Sequence, residues 1–194
     1  MRFYLEITLL TSPEIGLNFL WSKVFQQIHL GLVETQDAER QSPIGIGFPK
    51  YWNEETKFSL GSKCRLFATN QATLERFAAP QRLARLSDYV HCTSIRPVPE
   101  AVTGYATYRR LQPKTNPERL ARRYAKRHKL SEAEAMAQYR DMAPVSVSTP
   151  FIRLTSLSNG ETFCLWINKT LSEKPVAGDF NSYGLSATAT VPEF

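Results

Sequence analysis

Hydrophobic and polar residues alternate over residues 2–9, with Phe3, Leu5, Ile7 and Leu9 on one face and Arg2, Tyr4, Glu6 and Thr8 on the other. That period of two predicts a half-buried strand. Past Ser12, Pro13 and Gly16 the period changes, and Leu17, Leu20, Val24 and Ile28 fall on one helical stripe. A helix is therefore expected from residue 17 to about residue 30, with Gly31 as its stop. Runs at residues 44–48 (I-G-I-G-F) and 63–68 (K-C-R-L-F-A) predict short strands, the second entered through a turn at Gly61. Residues 73–86 are again helical in pattern, interrupted at Pro80, and residues 93–98 predict a closing strand. The order β-α-β-β-α-β over residues 1–98 is that of a ferredoxin-like (RRM-like) domain, the split βαβ arrangement.

From residue 99 the pattern differs. A link carrying Tyr105, Tyr108, Arg109, Arg110 and Gln112 leads into N-P-E-R-L-A-R-R-Y-A-K-R-H-K at residues 116–129. Asn116 suits an N-cap, Pro117 the first helical position, and Glu118 the positive end of the helix dipole. Arg119, Arg122, Arg123, Lys126 and Arg127 fall on adjoining rows, with Leu120, Ala121, Tyr124 and Ala125 on the opposite side. Ser131 and Glu134 spell a capping box for a short helix over residues 132–140. Strands over 151–156 and 162–168 are expected to join near Asn159-Gly160, a turn signal, before a tail over 180–194. The expected protein is α+β and in two parts. Residues 1–98 form the ferredoxin-like domain, and residues 99–194 an α/β region carrying an arginine-rich helix and a β-hairpin.

Charge sharpens this picture. Residues 109–129 hold nine Lys and Arg against Glu118 alone, a net +8; the whole chain is +6, so the remainder sums to −2. The basicity belongs to one element, the footprint of a polyanion site. A solvated helix is the alternative, but its like charges lack acidic partners at i+4 and repel by about a few tenths of a kcal/mol per pair. A phosphate backbone would relieve that repulsion. Composition is otherwise ordinary, at 42% hydrophobic and 22% charged. No apolar run approaches the roughly 20 residues of a membrane span and MRFYLEITLL does not read as a signal peptide, so a cytoplasmic location is expected, with no membrane partner. Cys64, Cys92 and Cys164 are far apart, without a C-x-x-C, and read as free thiols.

Most chemistry has no motif to rest on. No D-x-D or E-x-x-H array, G-x-S-x-G elbow or phosphate loop occurs; Gly45 and Gly47 form a bare G-x-G within a strand. Neither a metal nor a small-molecule cofactor is expected. The R-G-F-x-F-type signature for base stacking on a sheet is also missing. Of three histidines, His91 and His128 read as structural. His29, near the end of the first helix and beside Phe25, reads as a cap or packing residue, or, given RNA, as a base. RNA carries its own nucleophile: a 2′-hydroxyl held in line attacks the adjacent phosphate once a group of near-neutral pKa deprotonates it.

Taken together, His29, the run Arg110-Leu111-Gln112 leading into N-P-E-R-L-A-R-R-Y-A-K-R-H, the L-S-E-A-E-A continuation, Ser156 and Ser158 before Asn159-Gly160, Phe163, and Y-G-L-S at Tyr183 to Ser186 carry a resemblance. Over nearly its whole length the chain resembles the CRISPR repeat-processing endoribonucleases of the type I-F system. The resemblance implies His29 as general base, Ser156 as the residue that holds the ribose, and Tyr183 as the residue that orients the site, with Ser158 assisting. It implies Arg110 and Gln112 as readers of base edges, Phe163 as a platform under the terminal base pair, and Arg119, Arg122, Arg123, Lys126 and Arg127 as phosphate contacts. The implied activity is metal-independent cleavage at the 3′ side of a repeat hairpin, leaving a 2′,3′-cyclic phosphate. The implied partners are the repeat RNA, as precursor and as mature guide, and the other subunits of the interference complex. Two rivals stand beside it: a non-catalytic RNA-hairpin-binding subunit, and a duplex-DNA-binding regulator with the basic helix in a major groove.

Overall fold

A computed structural model of the chain describes residues 1–10, 13–54, 57–113, 117–140, 147–156 and 159–194. The alternating segment at the start forms strand β1 (Phe3–Leu9), which buries Leu5, Ile7 and Leu9. Helix α1 (Leu17–Glu34) follows and buries Leu20, Trp21, Val24, Phe25, Ile28 and Leu32. It runs a turn beyond its expected stop. Gly31 lies inside the helix, where an added Cβ would stand 2.7 Å from the Phe77 ring and from Arg82 Nε. Its smallness serves close packing rather than termination.

Strand β2 (Gly45–Gly47), the short pair β3 (Trp52–Asn53) and β4 (Phe58–Ser59), and β5 (Lys63–Ala68) come next. The second helical stretch divides into α2 (Gln71–Phe77), capped by Asn70, and α3 (Ala79–Arg82), hinged at a left-handed Ala78, with a 3-10 turn at Ala84–Leu86. Of the closing strand expected over 93–98 only β7 (Arg96–Pro97) forms, and a short strand β6 (Val90–Cys92) precedes it. Strands β2, β5, β1 and β6 form one antiparallel sheet in that order, with β7 continuing along β1, while β3 and β4 pair only with each other. Glu6 sits on its polar face between Lys63 and Arg65, and Arg65 Nε is 2.9 Å from the carboxylate.

The segment read as a link is strand β8 (Gly104–Leu111), whose Ala106 and Tyr108 are buried. Strands β9 (Phe151–Thr155) and β10 (Thr162–Ser172) form the expected hairpin. Within the tail, β11 (Val191–Glu193) closes a second antiparallel sheet of order β11-β8-β10-β9. The two sheets share one hydrophobic core, in which Phe48 and Phe67 meet Tyr108, Ile152, Leu165, Ile167 and Val191. The bare G-x-G is explained here, since a Cβ on Gly45 would lie 2.6 Å from the Phe180 ring and 2.9 Å from Val191.

Two compact units result: Met1–Leu111 with Thr149–Phe194, and Gln112–Ser148. Strands β8 to β11 bury their apolar faces in the same core as β1, β2 and β5. The smaller unit holds α4 (Pro117–His128) and α5 (Glu132–Ala137), which bury Ala121, Ala125 and Ala135 and pack Tyr124 and Tyr139 beside them. Helix α4 stops at Lys129, left-handed with φ 55°, and the Leu130 N–H reaches back 3.1 Å to the Ala125 carbonyl. That is a Schellman ending without its usual glycine. The expected capping box of Ser131 and Glu134 starts α5. Asn116, proposed as the cap of α4, lies outside the described residues. The protein is α+β. No helix among the described residues is long and apolar enough to cross a membrane.

Candidate active site

Helix α1 carries His29 one row from its buried stripe, so the ring is half-buried at the margin of the core. Its Nδ1 lies 2.7 Å from the Ser182 carbonyl oxygen. A carbonyl only accepts, so Nδ1 bears the proton and donates it, which leaves the lone pair of the neutral ring on Nε2. The imidazole stacks on Tyr183, with centroids 4.3 Å apart and planes at 10°. Burial depresses the His29 pKa from its ordinary 6.5, the bond to Ser182 pulls it back up, and the charge of Arg110 lowers it again. That direction favours the neutral imidazole at neutral pH.

The turn that presents Ser182 and Tyr183 is fixed from several directions. Asn181 Oδ1 accepts from the Tyr183 and Leu185 N–H groups at 2.8 and 3.3 Å, and the Gly184 N–H donates to the Asn181 carbonyl at 2.8 Å. Gly184 adopts φ +68°, and a Cβ there would lie 2.5 Å from Ile46 Cγ1. Its carbonyl accepts from the Ile46 N–H on β2, while the Ser186 N–H donates to the Tyr108 carbonyl on β8. With Leu185 fully buried, the turn is bound to both sheets of the larger unit.

Arg110 enters from β8, opposite Ile167 of β10. Its guanidinium carbon lies 5.3 Å from the Tyr183 ring centroid and 5.5 Å from that of Phe163, and the two rings meet edge to face at 6.5 Å. Arg110 Nε is buried and has no hydrogen-bond partner among the described residues. Such a donor costs about 1–3 kcal/mol until an acceptor reaches it. Among the described residues, no group of three or more His, Cys, Asp and Glu is arranged to hold a metal.

Residues 4–194 match the family described as CRISPR-associated protein (Cas_Csy4). The chain belongs to the Csy4 family. It is 37% identical over 195 residues to the CRISPR-associated endonuclease Cas6/Csy4 of Escherichia coli (strain UTI89 / UPEC), covering all of both chains. A protein of the same description from Pseudomonas aeruginosa (strain UCBPP-PA14) is 36% identical, again end to end.

In this Csy4-family chain the structure gathers His29, Tyr183, Arg110 and Phe163 within one cluster. Ser156 follows β9 at the mouth of the hairpin that bears Phe163, where its N–H donates to the Glu161 carbonyl at 2.8 Å. Ser158 lies outside the described residues. Gln112 is exposed at the start of the smaller unit, and Arg122, Arg123, Lys126 and Arg127 are exposed on α4, whose backbone includes Arg119. The partner that sequence reasoning missed is the Ser182 carbonyl. A backbone acceptor has no signature in side-chain patterns, although it directly precedes the Y-G-L-S motif.

Proposed function

We propose that this protein is an endoribonuclease that binds a CRISPR repeat stem-loop and cleaves its 3′ side without a metal. The observation that carries the reading is the Nδ1 bond of His29 to the Ser182 carbonyl, since it leaves Nε2 as a free base on a ring kept neutral by burial. The endonuclease names of the two full-length relatives support it. The His29 imidazole takes the proton of a 2′-hydroxyl; the O2′–P bond forms as the P–O5′ bond breaks, and the departing 5′-oxygen takes a proton from solvent. The products are a 2′,3′-cyclic phosphate and a 5′-hydroxyl. Tyr183 orients the imidazole, and Ser156, with Ser158, holds the ribose.

Arg110 and Gln112 read base edges, where guanidinium suits guanine and carboxamide suits adenine. Phe163 supports the terminal base pair, while Arg119, Arg122, Arg123, Lys126 and Arg127 of an arginine-rich helix meet phosphates. The ferredoxin-like reading of residues 1–98 is supported by the strand order β2-β5-β1-β6. The protein then keeps the mature guide RNA as a subunit of the type I-F interference complex in the cytoplasm. The test is incubation with a repeat hairpin in EDTA beside the same RNA carrying one 2′-deoxy nucleotide at the scissile position. Cleavage of the first alone is the expected result. Tight binding without cleavage of either would leave an RNA-binding subunit.

A further inference from the structure

We propose that Arg110 is also a positioning residue for the His29–Tyr183 pair, so that one side chain serves both the reading of the RNA and the arrangement of its base. The inference rests on the ribonuclease reading above. The guanidinium lies against the same Tyr183 ring on which the imidazole is stacked, and Phe163 bounds it as well. A planar cation against an aromatic ring restrains both partners, and Arg supplies the plane where Lys supplies only a point charge. Tyr183 is thus held by its turn through the backbone and by Arg110 through the ring.

Charge adds a second link. Among the described residues, the charged or titratable groups acting on His29 are Arg110 from β8 and the Tyr183 phenol from the turn; Ser182 offers only its carbonyl, and Phe163 from the hairpin is neutral. Arg110 disfavours the imidazolium, adding to the larger effect of burial. Among the described residues its buried Nε–H finds no acceptor, so the side chain is incompletely satisfied there. An RNA acceptor that completes it draws on the group that also sets Tyr183 and His29.

The experiment compares Arg110→Met, Arg110→Gln and Arg110→Lys with the parent protein. His29 ring resonances are titrated by NMR without RNA, and single-turnover cleavage is followed against pH at saturating hairpin. In both charge-free variants His29 is expected to titrate at higher pH, its ring-current shift from Tyr183 to change, and the acidic limb of the rate profile to move up in pH. Arg110→Lys is expected to restore the titration but not the ring-current shift, and to stay slow at saturating RNA. A residue that only reads a base alters affinity and base choice, so unchanged His29 titration and shifts in all folded variants would overturn the proposal. If the charge-free variants do not fold, the His29 ring-current shift in Arg110→Lys decides it. The NMR arm needs no cleavage, so a parent protein that leaves the hairpin intact would refute the ribonuclease reading without touching this result.

Discussion

His29 owes its tautomer to a carbonyl 153 residues away in the chain. The sequence placed this histidine near the end of an amphipathic helix, and α1 keeps it there but extends another turn, so a helix-capping role falls away. What remained hidden was the acceptor, because only tertiary folding brings Ser182 to the ring. Two outcomes belong at this scale. His29→Ala should lower single-turnover cleavage by about 10²–10⁴-fold, the contribution of a general base, while hairpin affinity in a filter-binding assay stays nearly unchanged. In the RNA-free protein, NMR should find His29 titrating below 6.5, because burial and Arg110 outweigh the bond to Ser182. The sign follows directly: the free base is lost as pH falls through that depressed value, so cleavage should rise with pH and then level off. The resemblance implies a base-reading role for Arg110, but the pattern of its segment, which reads as a link, does not reveal its contact with Tyr183.

At the scale of elements, the turn over residues 181–186 contributes most. Y-G-L-S could be read from the sequence as a motif but not as a joint between sheets, because Ile46 and Tyr108, which hold it, lie far away in the chain. Gly184→Ala would place a Cβ 2.5 Å from Ile46 Cγ1 at φ +68°. A loss of about 2 kcal/mol or more in urea unfolding is expected from the left-handed backbone and the overlap together. Cleavage should fall further than stability alone explains, because Tyr183 and the Ser182 carbonyl move with the turn. The helices were the most legible elements, as period and caps are local properties. Strand β8 was not: its buried positions are Ala106 and Tyr108, a small residue and one with a hydroxyl, so the apolar alternation that revealed β1 is muted.

For the whole molecule, the charge is segregated and the tail is structural. Exposed Arg122, Arg123, Lys126 and Arg127 share α4 in the smaller unit. Replacing Arg123 and Lys126 by Gln should reduce the slope of log affinity against log salt by about 1–2, one released counterion per lost phosphate contact. Gln112→Ala should leave that slope alone and relax base choice by about 1–3 kcal/mol, measured by competition between hairpins. In the larger unit, the Tyr108 hydroxyl lies 3.0 Å from the Phe48 carbonyl and 2.9 Å from Glu193 Oε1, and Lys169 stands 2.5 Å from the other carboxylate oxygen. Burial and then the Glu193 charge push this phenol far above its ordinary pKa, so it remains a donor. Tyr108→Phe should therefore cost about 1–3 kcal/mol in urea unfolding, and Glu193 keeps its partner in Lys169.

By itself the sequence determined the properties that depend on neighbours in the chain: the periods of β1 and α1, the capping box of α5, the hairpin of β9 and β10, and the concentration of positive charge on one helix. Spacing along the backbone decides these. Only the tertiary structure decided which surfaces meet. It drew β8 and the tail strand β11 into a second sheet sharing the first one's core, gave Gly31 and Gly45 their reasons in close packing, and brought His29, Ser182, Tyr183, Arg110 and Phe163 together from four separate elements. An arrangement of this kind depends on distances through space, which hydrophobic patterning does not specify.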